Sequence, residues 1–279
     1  MDSSRIDAHQ HFWRYQPERD AWITGSMAAI RRDFLPVDLE GALVAAGLHG
    51  SVAVQADQSL EETHFLLDLA REHAFVRGVV GWVDLLAPDL EPTLEALAED
   101  PLLVGVRHIA QAEADDWLAR EDVAAGIGRL GGFGLTYDIL IHHWQIPAAQ
   151  VLVDRLPAQP FVVDHLAKPP IRGAVLEPWA THMRELSRRP NVWCKLSGMV
   201  TEADWQGWRR ADLRPYLDVA LETFGPERLM FGSDWPVCLL AADYTAVVDA
   251  VAEVAASLTP AEREAVFGAT ARRFYWLGA

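Results

Sequence analysis

Four short stretches carry the residue types that acid–base or metal chemistry needs. The first is His9-Gln10-His11, with two imidazoles two positions apart. On a β-strand, residues i and i+2 point to the same side, so both rings would face one compartment. The others are Arg107-His108, Asp164-His165, and Asp234 within Phe231-Gly232-Ser233-Asp234-Trp235-Pro236, each following a short apolar run. His9, His11, His165 and Asp234 make three nitrogens and one carboxylate, a set suited to general acid–base work or to one divalent ion. The structural alternatives are a capping carboxylate at Asp234 and a backbone-satisfied core histidine at His165. Arg107 adds a permanent cation that can hold a hydroxyl, a carbonyl or a carboxylate, or simply pair with one of the many acids.

Eleven tryptophans is a high number for this length, and Trp13, Trp82, Trp144 and Trp235 fall at or just after apolar runs. Aromatic faces pack on the C–H faces of sugar rings, so Trp13, Trp82 and Trp235 are expected in a pocket wall; the alternative is structural filler. Asp84, His108, Tyr137, Asp138 and Lys168 are the polar groups expected to recognise substrate hydroxyls. His142 and His143 follow the fifth run and are candidate pocket residues, whereas His49, His64, His73 and His182 fall on helical segments or their flanks and read as surface residues. Cys194 sits mid-run without a neighbouring histidine and reads as an inert buried thiol. No G-x-S-x-G elbow supports serine-hydrolase chemistry.

These residues need a scaffold that gathers strand ends. Short β-rich runs recur at 5–9, 50–55, 76–83, 103–108, 134–141, 161–165, 191–196 and 229–232, several of them continuously apolar as in strands covered on both faces. Helical spacing lies between them at 60–72, 89–98, 115–130, 147–156, 176–187, 213–224 and 244–255. Eight strands alternating with helices predict a single-domain (β/α)8 barrel over residues 1–279, with chemistry at the strand C-termini. A doubly wound sheet is the alternative, but no G-x-G-x-x-G follows the first run.

The balance of charge narrows the partners. With 40 Asp+Glu against 24 Lys+Arg in 279 residues, the net charge is −16, which disfavours nucleic acid and anionic membranes. Two cysteines exclude a disulfide framework or a four-cysteine zinc site. No apolar run reaches a membrane span and no secretory signal is visible, so a cytoplasmic protein is expected.

Taken together, His9-Gln10-His11, Val163-Asp164-His165-Leu166-Ala167-Lys168-Pro169 and Gly232-Ser233-Asp234-Trp235-Pro236 resemble the amidohydrolase superfamily. The stretches 194–202 and 231–238 are similar to its sugar-lactonase branch, of the L-fuconolactonase type. The resemblance implies a distorted barrel that opens sugar-acid lactones. It also carries a departure: binuclear members use a carboxylated lysine on strand four and a histidine on strand five. Here strand four ends Gly105-Val106-Arg107-His108, so a two-metal site lacks its bridging ligand, while His9, His11, His165 and Asp234 still allow one Zn2+. The branch implies that no metal is obligatory.

Lactone opening needs a base for water, an electrophile for the carbonyl and an acid for the leaving alkoxide. Asp234 is expected as the base, with His9, His11 and His165 polarising the carbonyl. The partner expected is a small neutral sugar lactone, with a homo-oligomer allowed. The rival readings are a metal-dependent decarboxylase and a catalytically inactive sugar-binding barrel.

Overall fold

The computed structural model describes residues 5–278. Eight parallel strands run in sequence order, each paired with the next: β1 Ile6–Gln10, β2 Gly50–Val54, β3 Val76–Gly81, β4 Leu103–His108, β5 Thr136–Ile139, β6 Phe161–Val163, β7 Val192–Leu196 and β8 Leu229–Phe231. Just past β8, the amides of Asp234 and His11 donate to the carbonyls of His9 (2.8 Å) and Trp235 (2.7 Å), joining the last strand to the first. The predicted (β/α)8 barrel is therefore the fold.

The helices are α1 Pro36–Ala45, α2 Leu60–Glu72, α3 Leu90–Leu97, α4 Glu121–Arg129, α5 Ile146–Arg155, α6 Trp179–Leu186, α7 Met199–Glu202, α8 Arg210–Phe224, α9 Tyr244–Ala255, α10 Pro260–Glu264 and α11 Thr270–Phe274. Their starts follow local chemistry: Ser59 and Asp243 accept the Glu62 and Ala246 amides at the heads of α2 and α9. One expected helix is shortened, and α1, α7, α10 and α11 lie outside the expected segments. The segment expected at 115–130 starts with a 3-10 turn, Trp117–Ala119, and becomes α4 only at Glu121. Helix α1 was not expected, because it buries only Pro36, Leu39 and Leu43 and so shows little periodicity. No described helix is long and apolar enough to cross a membrane.

Side-chain alternation sorts the strands into two cores. Tyr137, Ile139, Phe161, Val163, Cys194, Leu196, Leu229 and Phe231 pack outward among the helices. Val52, Val54, Val80, Val104, Val162 and Met230 fill the barrel with Phe274, Tyr275 and Leu277 of the C-terminal segment. That segment closes the end where strands begin, since Arg77 at the start of β3 donates to the Gly278 carbonyl at 3.1 Å. A register shift between Asp7 and Gln10 lets both Ala8 and His9 face the interior.

Candidate active site

The site is assembled where β1, β4, β6, β7 and β8 end. His9 lies at the centre and is fully buried. Its Nε2 is 3.2 Å from Nε2 of His11 and 3.9 Å from Asp234 Oδ1. The same Asp234 oxygen lies 3.4 Å from His11 Nε2 and 3.8 Å from His165 Nε2. The predicted quartet is therefore brought together with its Nε2 atoms around one carboxylate oxygen.

The other ring nitrogens orient these groups. His11 Nδ1 is 2.7 Å from the Val54 carbonyl, which can only accept, so Nδ1 carries the proton and Nε2 is bare. His165 Nδ1 is 2.8 Å from the Ser197 hydroxyl. His9 Nδ1 has two kinds of neighbour: Lys195 Nζ, a donor, at 3.1 Å and Asp164 Oδ1, an acceptor, at 3.3 Å. With its proton on Nε2, His9 donates to His11 and accepts from Lys195. With its proton on Nδ1, it donates to Asp164 and turns a second bare nitrogen toward Asp234.

That second arrangement answers whether a divalent ion suits the quartet. Zn–N and Zn–O bonds of about 2.0–2.1 Å in a tetrahedron separate donors by about 3.3 Å. The closest separations here, 3.2 Å and 3.4 Å, match that value, and the donor types are those zinc takes. His9, His11 and Asp234 are thus a buried group that can hold a metal ion. The same holds for His9, Asp164 and His165. The place beside His9 where a second ion would need a bridging ligand is instead taken by organic cations, Lys195 Nζ and Arg107 Nη1, the latter 3.3 Å from His9 Nε2.

Beneath the quartet is an ionic network that sequence reasoning missed. Lys195 Nζ, fully buried on β7, pairs with Asp138 at 2.5 Å and Asp164 at 3.0 Å. Arg107 pairs with Asp164 at 3.1 Å and donates to the Gln55 carbonyl. Tyr275 donates its hydroxyl to Asp138 at 2.8–2.9 Å, tying the C-terminal segment to the network. Two carboxylates and two cations balance. Asp7 is a further positioning residue: it accepts from the amides of His9 (3.1 Å) and Ser233 (2.8 Å) and from the Tyr244 hydroxyl (2.9 Å). A lysine inside an apolar strand run was the one available signal for the network, since such a cation needs buried partners.

Burial and these contacts set the charges. Burial pushes His165 down to about 4 and His9 well below its ordinary value, so both imidazoles are neutral near pH 7. Burial would raise Asp234, but His165, His11 and His9 together hold it below the usual carboxylate range. Asp164 is held down against burial by Lys195, His9 and Arg107, whereas burial lifts Asp138 to about 6 despite Lys195.

Two glycines make the approach possible. A Cβ on Gly232 would lie 2.6 Å from Cβ of His9. A Cβ on Gly198, whose φ is +63°, would lie 2.5 Å from Nδ1 of His165. His165 itself begins a left-handed turn. His165, Leu166, Ala167 and Lys168 all have φ between 50° and 55°, and Asp234 has φ 58°. Such backbone costs roughly 1–2 kcal/mol per residue, and strain of this kind gathers at functional sites.

Above the quartet is a cavity of about 460 Å3. His11, His165, Asp234, Arg107, Lys168 and Trp13 line it as expected, Trp13 with its indole N–H on the Arg32 carbonyl. The unforeseen lining includes Trp22, Met27, Gln111, Glu202 and Trp205.

The remaining predicted substrate residues lie elsewhere. Asp138 points inward but lies in the buried network, and Tyr137, next to it, faces the helices against Phe161. Trp235 packs edge-on against Phe12 and Phe34. His108 stacks on Trp117 and bonds Glu113, receiving the Trp82 indole N–H on Nδ1, so neither His108 nor Trp82 reaches the cavity. Asp84 is exposed and accepts the Leu86 amide in a turn. His142 stacks on the exposed Trp144, and His143 meets the same ring edge-on, both outside the cavity.

Comparison with known proteins agrees with this architecture. The chain is 45% identical to an L-fucono-1,5-lactonase of Burkholderia multivorans, over 99% of this chain and 97% of that one. It is 40% identical to an L-fucono-1,5-lactonase of Burkholderia ambifaria, over 97% and 95% of the two chains. A crystal structure of an amidohydrolase from Burkholderia multivorans with bound zinc superposes with a TM-score of 0.93 at 45% identity, covering 99% of this chain and 100% of that one. The amidohydrolase family profile matches residues 6–277, so nearly the whole chain is spanned and the protein belongs to the amidohydrolase family.

Proposed function

We propose that the chain hydrolyses a sugar-acid lactone, L-fucono-1,5-lactone or a related aldonolactone, to the free aldonic acid. The observation that carries this reading is the Asp234 carboxylate, ringed by three imidazoles at the base of a cavity with aromatic and polar walls. Near-full-length similarity to two L-fucono-1,5-lactonases supports the substrate class.

In this reading Asp234 takes a proton from water as the water oxygen bonds to the lactone carbonyl carbon. His11, with its bare Nε2, accepts from that water and aims it. In its Nδ1–H form His11 cannot donate to an oxyanion, so carbonyl polarisation falls to Arg107 and to His165 in its Nε2–H form, both of which line the cavity, with His9 behind them. Asp234 then returns its proton to the ring oxygen as the C–O bond breaks. One divalent ion such as Zn2+, held by His9, His11, His165 and Asp234, would polarise the carbonyl and acidify bound water. The route through the side chains does not require it.

The test is acid release from a panel of aldonolactones, with and without thorough chelation, for the native protein and Asp234→Asn. The amide is nearly isosteric and cannot take the proton, so kcat should fall by at least ~100-fold. A folded Asn variant with normal turnover overturns the assignment of the base. Activity that vanishes on chelation and returns with Zn2+ overturns the metal-free route.

A further inference from the structure

Two charged side chains in the cavity wall take no part in the quartet or the network beneath it. Lys168 ends the left-handed turn that His165 begins, and Glu202 ends α7, the short helix that follows Gly198. Both line the cavity, and their side chains are only 19% and 26% exposed. The Lys168 ammonium and Glu202 Oε1 form a loose ion pair at 3.8 Å, longer than a direct hydrogen bond. A donor and an acceptor at that separation fit one hydroxyl between them, accepting from the ammonium and donating to the carboxylate, each at about 2.8 Å.

The same wall supplies an aromatic ring. Trp205 lines the cavity, and its indole N–H is fixed on the Thr201 carbonyl at 2.8 Å, so the ring is held in place at the edge of the α7 loop. A hydroxylated ring carbon presents these complementary parts: an O–H that both gives and takes a hydrogen bond, and a C–H face that packs on an aromatic ring. We propose that Lys168, Glu202 and Trp205 form a hydroxyl-reading subsite that selects polyhydroxylated ring lactones over plain ones. This rests on the lactonase reading and adds which residues set its selectivity. Burial raises the Glu202 carboxyl and Lys168 opposes that rise, as expected for an acceptor kept partly dry.

A site built to bond a hydroxyl discriminates strongly against analogues without one, because its buried polar groups are left unpaired. The experiment compares kcat/KM for an aldono-1,5-lactone and for δ-valerolactone, which has the ring ester but no hydroxyl. The proteins are the native chain, Glu202→Gln, Lys168→Met and Lys168→Arg. Glu202→Gln and Lys168→Met should lose ~100-fold or more on the aldonolactone, chiefly through KM. Their loss on δ-valerolactone should be smaller by at least ~10-fold, and Lys168→Arg, which keeps donors, should recover part of the aldonolactone activity. Equal losses on both lactones, or none on either, overturn the subsite and leave the lactonase reading standing. A native chain that opens neither lactone overturns the lactonase reading and the subsite with it.

Discussion

Replacing Lys195 by Met should unbalance the site from below. The ammonium is fully buried, 2.5 Å from Asp138 and 3.0 Å from Asp164. At an effective dielectric of about 20, the two contacts are gross attractions of roughly 6.6 and 5.5 kcal/mol, most of which offsets the desolvation of the three charges. Removing one partner leaves the desolvation without the attraction, and breaking buried pairs typically costs about 3–5 kcal/mol. Against the usual total stability of about 5–15 kcal/mol, the variant should still fold. The loss should also depend on pH. Asp138 already has its native pKa raised to about 6 from 3.8, and without the ammonium it rises further. A raised carboxyl contributes stability below its unfolded pKa and loses it as pH climbs through the folded one. The deficit of Lys195→Met should therefore be largest near pH 8 and shrink toward pH 5. Urea unfolding at both pH values, with CD and activity followed together, measures it. A deficit under about 1 kcal/mol at pH 8, or one equal at both pH values, would refute the network as drawn.

Three further outcomes follow from the geometry. Gly198→Ala should cost roughly 1–2 kcal/mol for its positive φ and push the His165 ring aside, lowering kcat more than stability alone explains; unchanged kcat would place His165 outside the reaction. Glu62, lifted by burial to about 8 from 4.5, should weaken the fold as pH rises through that window. Glu62→Gln should flatten the slope of Tm against pH there, and an unaltered slope counts against that buried carboxyl. Metal-stripped protein should take up no more than one equivalent of Zn2+, because Lys195 and Arg107 flank His9; two tightly held equivalents by elemental analysis would contradict this.

Much of the candidate site was legible because its residues end strands. His9, His11, His165 and Asp234 each stand at the end of an apolar run, and in a barrel all such ends meet. Their supports were not legible in the same way. Lys195 lies inside β7, where the pattern reads as buried and apolar, and its partners Asp138 and Asp164 come from β5 and from the turn that follows β6. Asp138 and Tyr137 show the limit of counting strand ends. Alternation sends Tyr137 outward, and Asp138 faces inward but lies in the network beneath the cavity. Of the aromatic wall, Trp13 was legible and the rest was not, for a similar reason. Trp22 and Trp205 reach the cavity from irregular loops, which carry no period from which direction can be read.

The left-handed turn from His165 to Lys168 inverts the usual rules of mutational tolerance. Leu166 and Ala167 sit in backbone that disfavours any β-carbon, so glycine at Ala167 should be accepted more readily than valine or isoleucine, which suit strands elsewhere in the barrel. What holds the turn in place is outside it: both side chains are fully buried, and the Trp179 indole on α6 donates to the Leu166 carbonyl at 2.7 Å. A change in the outer helical layer, with no contact to the cavity, can thus reach His165 and Lys168 along the backbone. Any library built by ranking positions on their nearness to the cavity would leave out Trp179, and with it one of the fastenings of the active centre.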